Sequence, residues 1–142
     1  MKVGIDYPGV SIVFFCKDRY GNFLMNKRSE NCRDEKGRWD IGAGALKIHE
    51  KIEEALEREI KEEYGTSIIN YEFLGYRDVH RKDNQKRTHW VALDFKVLVD
   101  SNIVKNGEPD KFDEIGWFRL DNIPFPVHSQ LPHFLEIYKN KL

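Results

Sequence analysis

Cysteine is scarce in this chain: Cys16 and Cys32 are the only two in 142 residues, and they have no CxxC spacing. With no disulfide framework, a reducing cytoplasm is the expected setting. No stretch approaches 18 consecutive apolar residues, so no membrane span is expected. The N-terminal MKVGIDYPGV lacks the long apolar core of a secretion signal. Charge of one sign is missing too. Twenty-three Lys and Arg face 24 Asp and Glu, for a net charge of −1. That balance argues against bulk electrostatic binding to nucleic acid or anionic lipid. Internal repeats, linkers and low-complexity segments are not evident.

What is present suits one folded domain over 1–142. A chain of this length buries roughly 68–70% of its unfolded surface, enough for a core. The 13% aromatic content is incompatible with a disordered chain. Val10–Cys16 is a β-branched and aromatic run, followed by the turn sequence DRYGN and a returning strand at Phe23–Arg28, which predicts a hairpin. Residues 29–38 read as a polar loop, and Trp39–Gly44 as a short apolar, glycine-rich segment. A helix is predicted over about 50–64, stopped by Gly65. Strands are predicted over 68–79 and 88–99, with a basic loop over 80–87 between them. A turn at 106–111, a last strand at 115–118 and a helix at 131–138 complete a mixed α/β layer pattern.

Between Glu50 and Glu63, seven of fourteen residues are glutamate. On a helix at about 100° per residue, Ile52, Ala55, Leu56 and Ile60 share one apolar stripe. Glu50, Glu53, Glu54 and Glu57 fall opposite, on a solvated face. Glu59 and Glu63 fall at about 340° and 20°, inside the apolar stripe, with Glu62 at its edge at about 280°. Unpaired carboxylates there are costly to bury and repel each other. Two compensations are open: an ion-pair network around Arg58, or a divalent cation. Oxygen-only ligands suit a hard ion such as Mg²⁺ or Mn²⁺.

The segment Gly44–Thr66 resembles the Nudix box, G-x5-E-x7-R-E-U-x-E-E-x-G-U, where U is bulky aliphatic. The matching residues are Gly44, Glu50, Arg58, Glu59, Ile60, Glu62, Glu63 and Gly65; Thr66 departs from the aliphatic last position. The early hairpin, the tryptophan before the box and the late segment GEPDKFDEIGWF resemble Nudix domains as well. The resemblance implies an α/β/α sandwich around a central mixed β-sheet, and Mg²⁺- or Mn²⁺-dependent hydrolysis of a nucleoside diphosphate linked to another group. It assigns the metal to Glu59, Glu62 and Glu63, joined by the backbone carbonyl of Ala43. The general base would be a box glutamate or an acidic residue of a later loop, with Glu108 preferred over Asp110, Asp113 and Glu114. Gly44, Glu50, Arg58 and Gly65 are expected to be structural.

Arg28, Arg38 and the basic residues Arg81, Lys82, Lys86 and Arg87 are candidates to meet phosphates. Trp39, Tyr76, Trp90 and Phe112 are candidates to stack on a base, against the competing expectation of core packing. His80, His89, His128 and His133 show no spacing that suggests a zinc site. Features of the chain point in different directions within the family. The expected partner is a small nucleotide, such as a nucleoside triphosphate, ADP-ribose or an NDP-sugar, rather than an RNA end or a membrane. Homodimers are common in the family. The alternative function is a nucleotide-binding or regulatory domain without hydrolysis, whose sign would be a lost metal glutamate; none is lost here.

Overall fold

The computed structural model describes residues 1–142, apart from the side chain of Asp83. The order of elements is β1 (Gly9–Lys17), β2 (Phe23–Arg28), β3 (Trp39–Asp40), β4 (Gly42–Ala45), α1 (Ile52–Tyr64), β5 (Ile68–Asp83), β6 (Lys86–Val99), β7 (Phe112–Phe118) and α2 (Leu131–Tyr138). One mixed sheet carries all seven strands. Its spine is β1, which runs parallel to β6 from Gly9↔Trp90 to Lys17↔Leu98 and antiparallel to β4 at Ser11–Phe14. Strand β1 is a continuous apolar run because both its faces are covered. Ile12, Phe14 and Cys16 pack with Leu56, Ile60 and Tyr64 of α1, while Val13 and Phe15 pack with Leu131, Phe134 and Tyr138 of α2. The result is the expected α/β/α sandwich. Among the described residues, no helix is long and apolar enough to cross a membrane.

The β1–β2 hairpin is joined at Lys17↔Phe23, after which β2 leaves β1 and pairs instead with β3 and β7. Asn26 crosses from β2 to the helix, its side-chain amide donating to the Tyr64 hydroxyl at 2.7 Å.

Three expectations change. The apolar stripe of α1 is carried by Ala55, Leu56, Ile60 and Tyr64, whereas Ile52, in the first turn, is 38% exposed. Trp39–Gly44 divides into two short strands. The largest difference lies at 80–87, which is strand rather than loop: β5 and β6 form one long hairpin turning at Asn84 and Gln85. Both turn residues have positive φ, 49° and 67°, as a two-residue type I′ connection requires. No glycine marks that turn, so its sequence signal was weak.

Candidate active site

Helix α1 begins after Lys51, whose backbone N–H donates to the Glu54 carboxylate at 3.3 Å, and ends at Gly65 in the left-handed conformation with its N–H on the Lys61 carbonyl. Gly65 therefore has the terminating role expected of it. Thr66, the departure from the box, is buried, and its hydroxyl donates to the Asp100 carbonyl at 3.2 Å. A buried acceptor is what allows a hydroxyl at an otherwise aliphatic position.

Arg58 is the hub of the segment. It bonds Glu50 at 2.6 Å, Glu59 at 2.7 Å and the Ala45 carbonyl at 3.1 Å, and reaches Glu62 at 3.4 Å. The helix is thus tied to the loop before it and to β4. The Arg58 bonds, followed by those from Lys47, hold the Glu50 carboxyl down at about 2. The same contacts raise Arg58 above its already high ordinary value, locking its charge.

Glu59 and Glu63 are 9% and 7% exposed, inside the apolar stripe as the wheel predicted. Burial raises the Glu59 carboxyl despite Arg58. Burial, and then the charge of Glu59, raise Glu63 much further, against Lys111 and a hydrogen bond from the Ala43 N–H. One oxygen of Glu63 is buried with no hydrogen-bond partner. Glu62 stands apart: its side chain is 46% exposed and turned to Arg58. Gly44 leaves room for Glu59, because a Cβ there would lie 1.9 Å from the Glu59 carboxyl carbon.

Two hollows adjoin this corner. One, of about 280 Å³, is lined by Glu63, Lys111, Arg28 and Asn26. The other, of about 300 Å³, is lined by Ala92, Leu131, Phe134 and Arg77. Asp40, Ile41 and Ala43 border both. The sequence expectations of Arg28 and Ala43 therefore fall on the cleft, with Arg28 also bonded to Asp34 at 3.0 Å. Arg38 lies outside it, half-exposed, donating to the Val127 carbonyl at 3.1 Å. Trp39 is corrected from a stacking surface to a core residue: it is 8% exposed and packs edge-on against Phe118 at 5.1 Å. Glu108 is half-buried on the loop that docks on the end of α1 through the Gly107 N–H and the Glu63 carbonyl, at 2.9 Å. Asp110, Asp113 and Glu114 are exposed.

Several cleft residues escaped sequence reasoning. Asp40 is a carboxylate in an apolar strand just before the box, a detectable signal; burial raises its carboxyl. His128 lies 3.9 Å from Asp40 and 3.5 Å from Glu35. Glu35 accepts from the hydroxyl and backbone N–H of Ser129 and pairs with Arg81 at 2.7 Å. Burial would raise Glu35, yet the Ser129 bonds, His128 and Arg81 bring it below its ordinary value. Arg77 pairs with the fully buried Asp94 at 2.7 and 2.8 Å, and Tyr138 donates to the same carboxylate at 2.7 Å. The remaining Arg77 nitrogen, Nη1, is buried without a hydrogen-bond partner, and the guanidinium lies over the Phe134 ring, 5.3 Å from its centroid.

A family model described as the NUDIX domain matches residues 7–137. The chain is 30% identical over 107 residues to the nucleoside triphosphatase NudI of Salmonella arizonae, covering 70% of this chain and 74% of that protein. It is 28% identical over 135 residues to the NAD-capped RNA hydrolase NudC of Pseudomonas aeruginosa, covering 93% of this chain. The chain spans 45% of the length of that relative. Among solved structures, the MutT NUDIX hydrolase of Burkholderia pseudomallei superposes with a TM-score of 0.80 at 30% identity, covering 92% of this chain and 98% of that one. With the box residues in place around Arg58 and the family model spanning the whole sheet, the chain belongs to the Nudix hydrolase family.

Proposed function

We propose that this chain hydrolyses a phosphoanhydride bond of a small nucleotide, using Mg²⁺ or Mn²⁺ held by Glu59, Glu62, Glu63 and the Ala43 carbonyl. The observation that carries the proposal is the pair of adjoining hollows. One joins Glu63 to Lys111, with Arg28 at the border of both, and suits phosphates with their cation; the other has Ala92, Leu131 and Phe134 in its wall beside Arg77 and Arg81, and suits a base with its polar edge.

The residues fit a hard divalent cation. Glu63 has a buried oxygen with no partner beside a second buried carboxylate, and both carboxyls are raised by burial. Arg58 already meets Glu59, so the group that lacks a cation is Glu63. When bound, it would supply charge neutralisation at the phosphates and a more acidic water. The chain supplies the rest. Arg58 holds Glu59 in place from the Glu50 side. Lys111 and Arg28 face the phosphate hollow and orient the anion. Glu108, on the loop docked against Glu63, is the proposed acceptor of the proton from the attacking water.

Nucleoside triphosphates are the favoured substrates, because the alignment with the nucleoside triphosphatase relative covers most of both proteins. ADP-ribose and NDP-sugars follow.

Product analysis tests this. The protein is incubated with Mg²⁺, and separately with a chelator, against NTPs, dNTPs, ADP-ribose, NDP-sugars, dinucleoside polyphosphates, NAD-capped RNA and triphosphorylated RNA. A nucleoside monophosphate formed with metal alone is the expected result. Binding without turnover of any of them would instead support a non-catalytic nucleotide-binding domain.

A further inference from the structure

Strands β5 and β6 pair with His80 directly opposite His89, and Asp78 lies two residues before His80 on the same face. The two imidazoles stack with centroids 4.2 Å apart, and His89 Nε2 lies 3.1 Å from an Asp78 carboxylate oxygen. Among the described residues, these are the one set of three ligating side chains whose donor atoms all lie within 4.8 Å of one another. The box glutamates do not converge to that degree.

We propose that Asp78, His80 and His89 form a second metal site, for a borderline cation of the zinc, copper or nickel class. Two imidazole nitrogens and one carboxylate oxygen favour such ions, whereas the all-oxygen box favours Mg²⁺ or Mn²⁺. Bonds of about 2.0–2.2 Å to one ion put donors roughly 3.3 Å apart, so the three donors must close by up to about 1.5 Å and the two rings must turn out of their stack, a side-chain rearrangement that leaves the strand pairing in place. The carboxylate already faces one ring nitrogen, so part of the geometry is preset. With three protein ligands, at least one coordination position stays open to water or to a donor from another molecule.

The site's position sets its consequence. Alternation along β5 puts Asp78 and His80 on one face and Arg77, Val79 and Arg81 on the other, where they line the hollow that Leu131 and Phe134 share. Beyond Gly9↔Trp90 the pairing of β1 with β6 ends; the His89 N–H still donates to the Gly4 carbonyl at 2.8 Å, and past it the hairpin continues as a ribbon of β5 and β6. A metal bridging His80 and His89 staples the two strands of that ribbon from behind the hollow. The sequence spacing of the histidines gave no hint of this; only the register brings them together.

The test is Zn²⁺ titration of the intact chain by calorimetry with Mg²⁺ in excess, repeated on His80→Ala, His89→Gln and Glu63→Gln. One Zn²⁺ equivalent is expected to bind to the wild type and to Glu63→Gln. Each histidine variant should weaken it by at least about tenfold. Ring-proton NMR signals of His80 and His89 should shift with the titration. Circular dichroism confirms that the variants are folded. Equal zinc binding by both histidine variants and the wild type, or loss of zinc in Glu63→Gln alone, would overturn the proposal. Neither result bears on hydrolysis with Mg²⁺, which the product analysis reads separately.

Discussion

The carboxylate of Glu59 occupies the space that a side chain on Gly44 would fill: a Cβ at Gly44 would stand 1.9 Å from Glu59 Cδ and 2.1 Å from its Oε2. The first glycine of the box and Glu59, the first of the proposed metal ligands, are therefore one steric unit, fifteen residues apart in the chain. Gly44→Ala must displace Glu59 or β4. A misplacement of about an ångström is expected to lower kcat roughly 100-fold while the fold persists. Steady-state kinetics with a thermal melt would check it; an unchanged kcat would show that Glu59 does not need this position.

Glu63 carries the orphaned oxygen, and its removal should separate fold from function. Glu63→Gln keeps the shape and discards the buried charge. Metal-dependent turnover should disappear, and any rise in Tm that Mg²⁺ gives the wild type should disappear with it. Differential scanning fluorimetry with and without Mg²⁺ would show this. Wild-type rates in a folded Glu63→Gln protein would sink the metal assignment.

Acid stability should report the Glu50–Arg58 tie. The Glu50 carboxyl is depressed from 4.5 to about 2 in the folded chain. A group depressed on folding contributes stability that is complete above its unfolded value and fades as pH falls toward the folded one. The stability difference between wild type and Glu50→Gln should therefore be full at pH 6 and shrink between about pH 4.5 and 2. Tm values across that range, at fixed ionic strength, give the comparison. A difference that stays constant with pH would mean that the pairing with Arg58 is not what Glu50 contributes.

Arg77 and Asp94 form a buried pair, 7% and 0% exposed, with Tyr138 as a third member. Asp94→Asn leaves the guanidinium uncompensated and should cost about 3–5 kcal/mol of stability. Replacing both partners with apolar residues should cost much less, because no buried charge is stranded. Urea unfolding of Asp94→Asn, Arg77→Met and the double variant would measure the coupling. Additive losses would contradict it.

The sequence alone determined the parts of this protein whose cause is local. The helical period of 3.6 residues places Glu59 and Glu63 on the buried stripe wherever the helix packs, and Gly65 ends the helix by its own backbone freedom. The continuous apolar run of β1 announces a strand covered on both faces. Tertiary structure decided what depends on pairing at a distance. Trp39 went to the core because Phe118 arrives beside it from β7. Asp40 and His128 border one cleft although 88 positions separate them. The turn at Asn84 and Gln85 set the register that puts His80 opposite His89, and a shift of one residue would have sent those side chains to opposite faces.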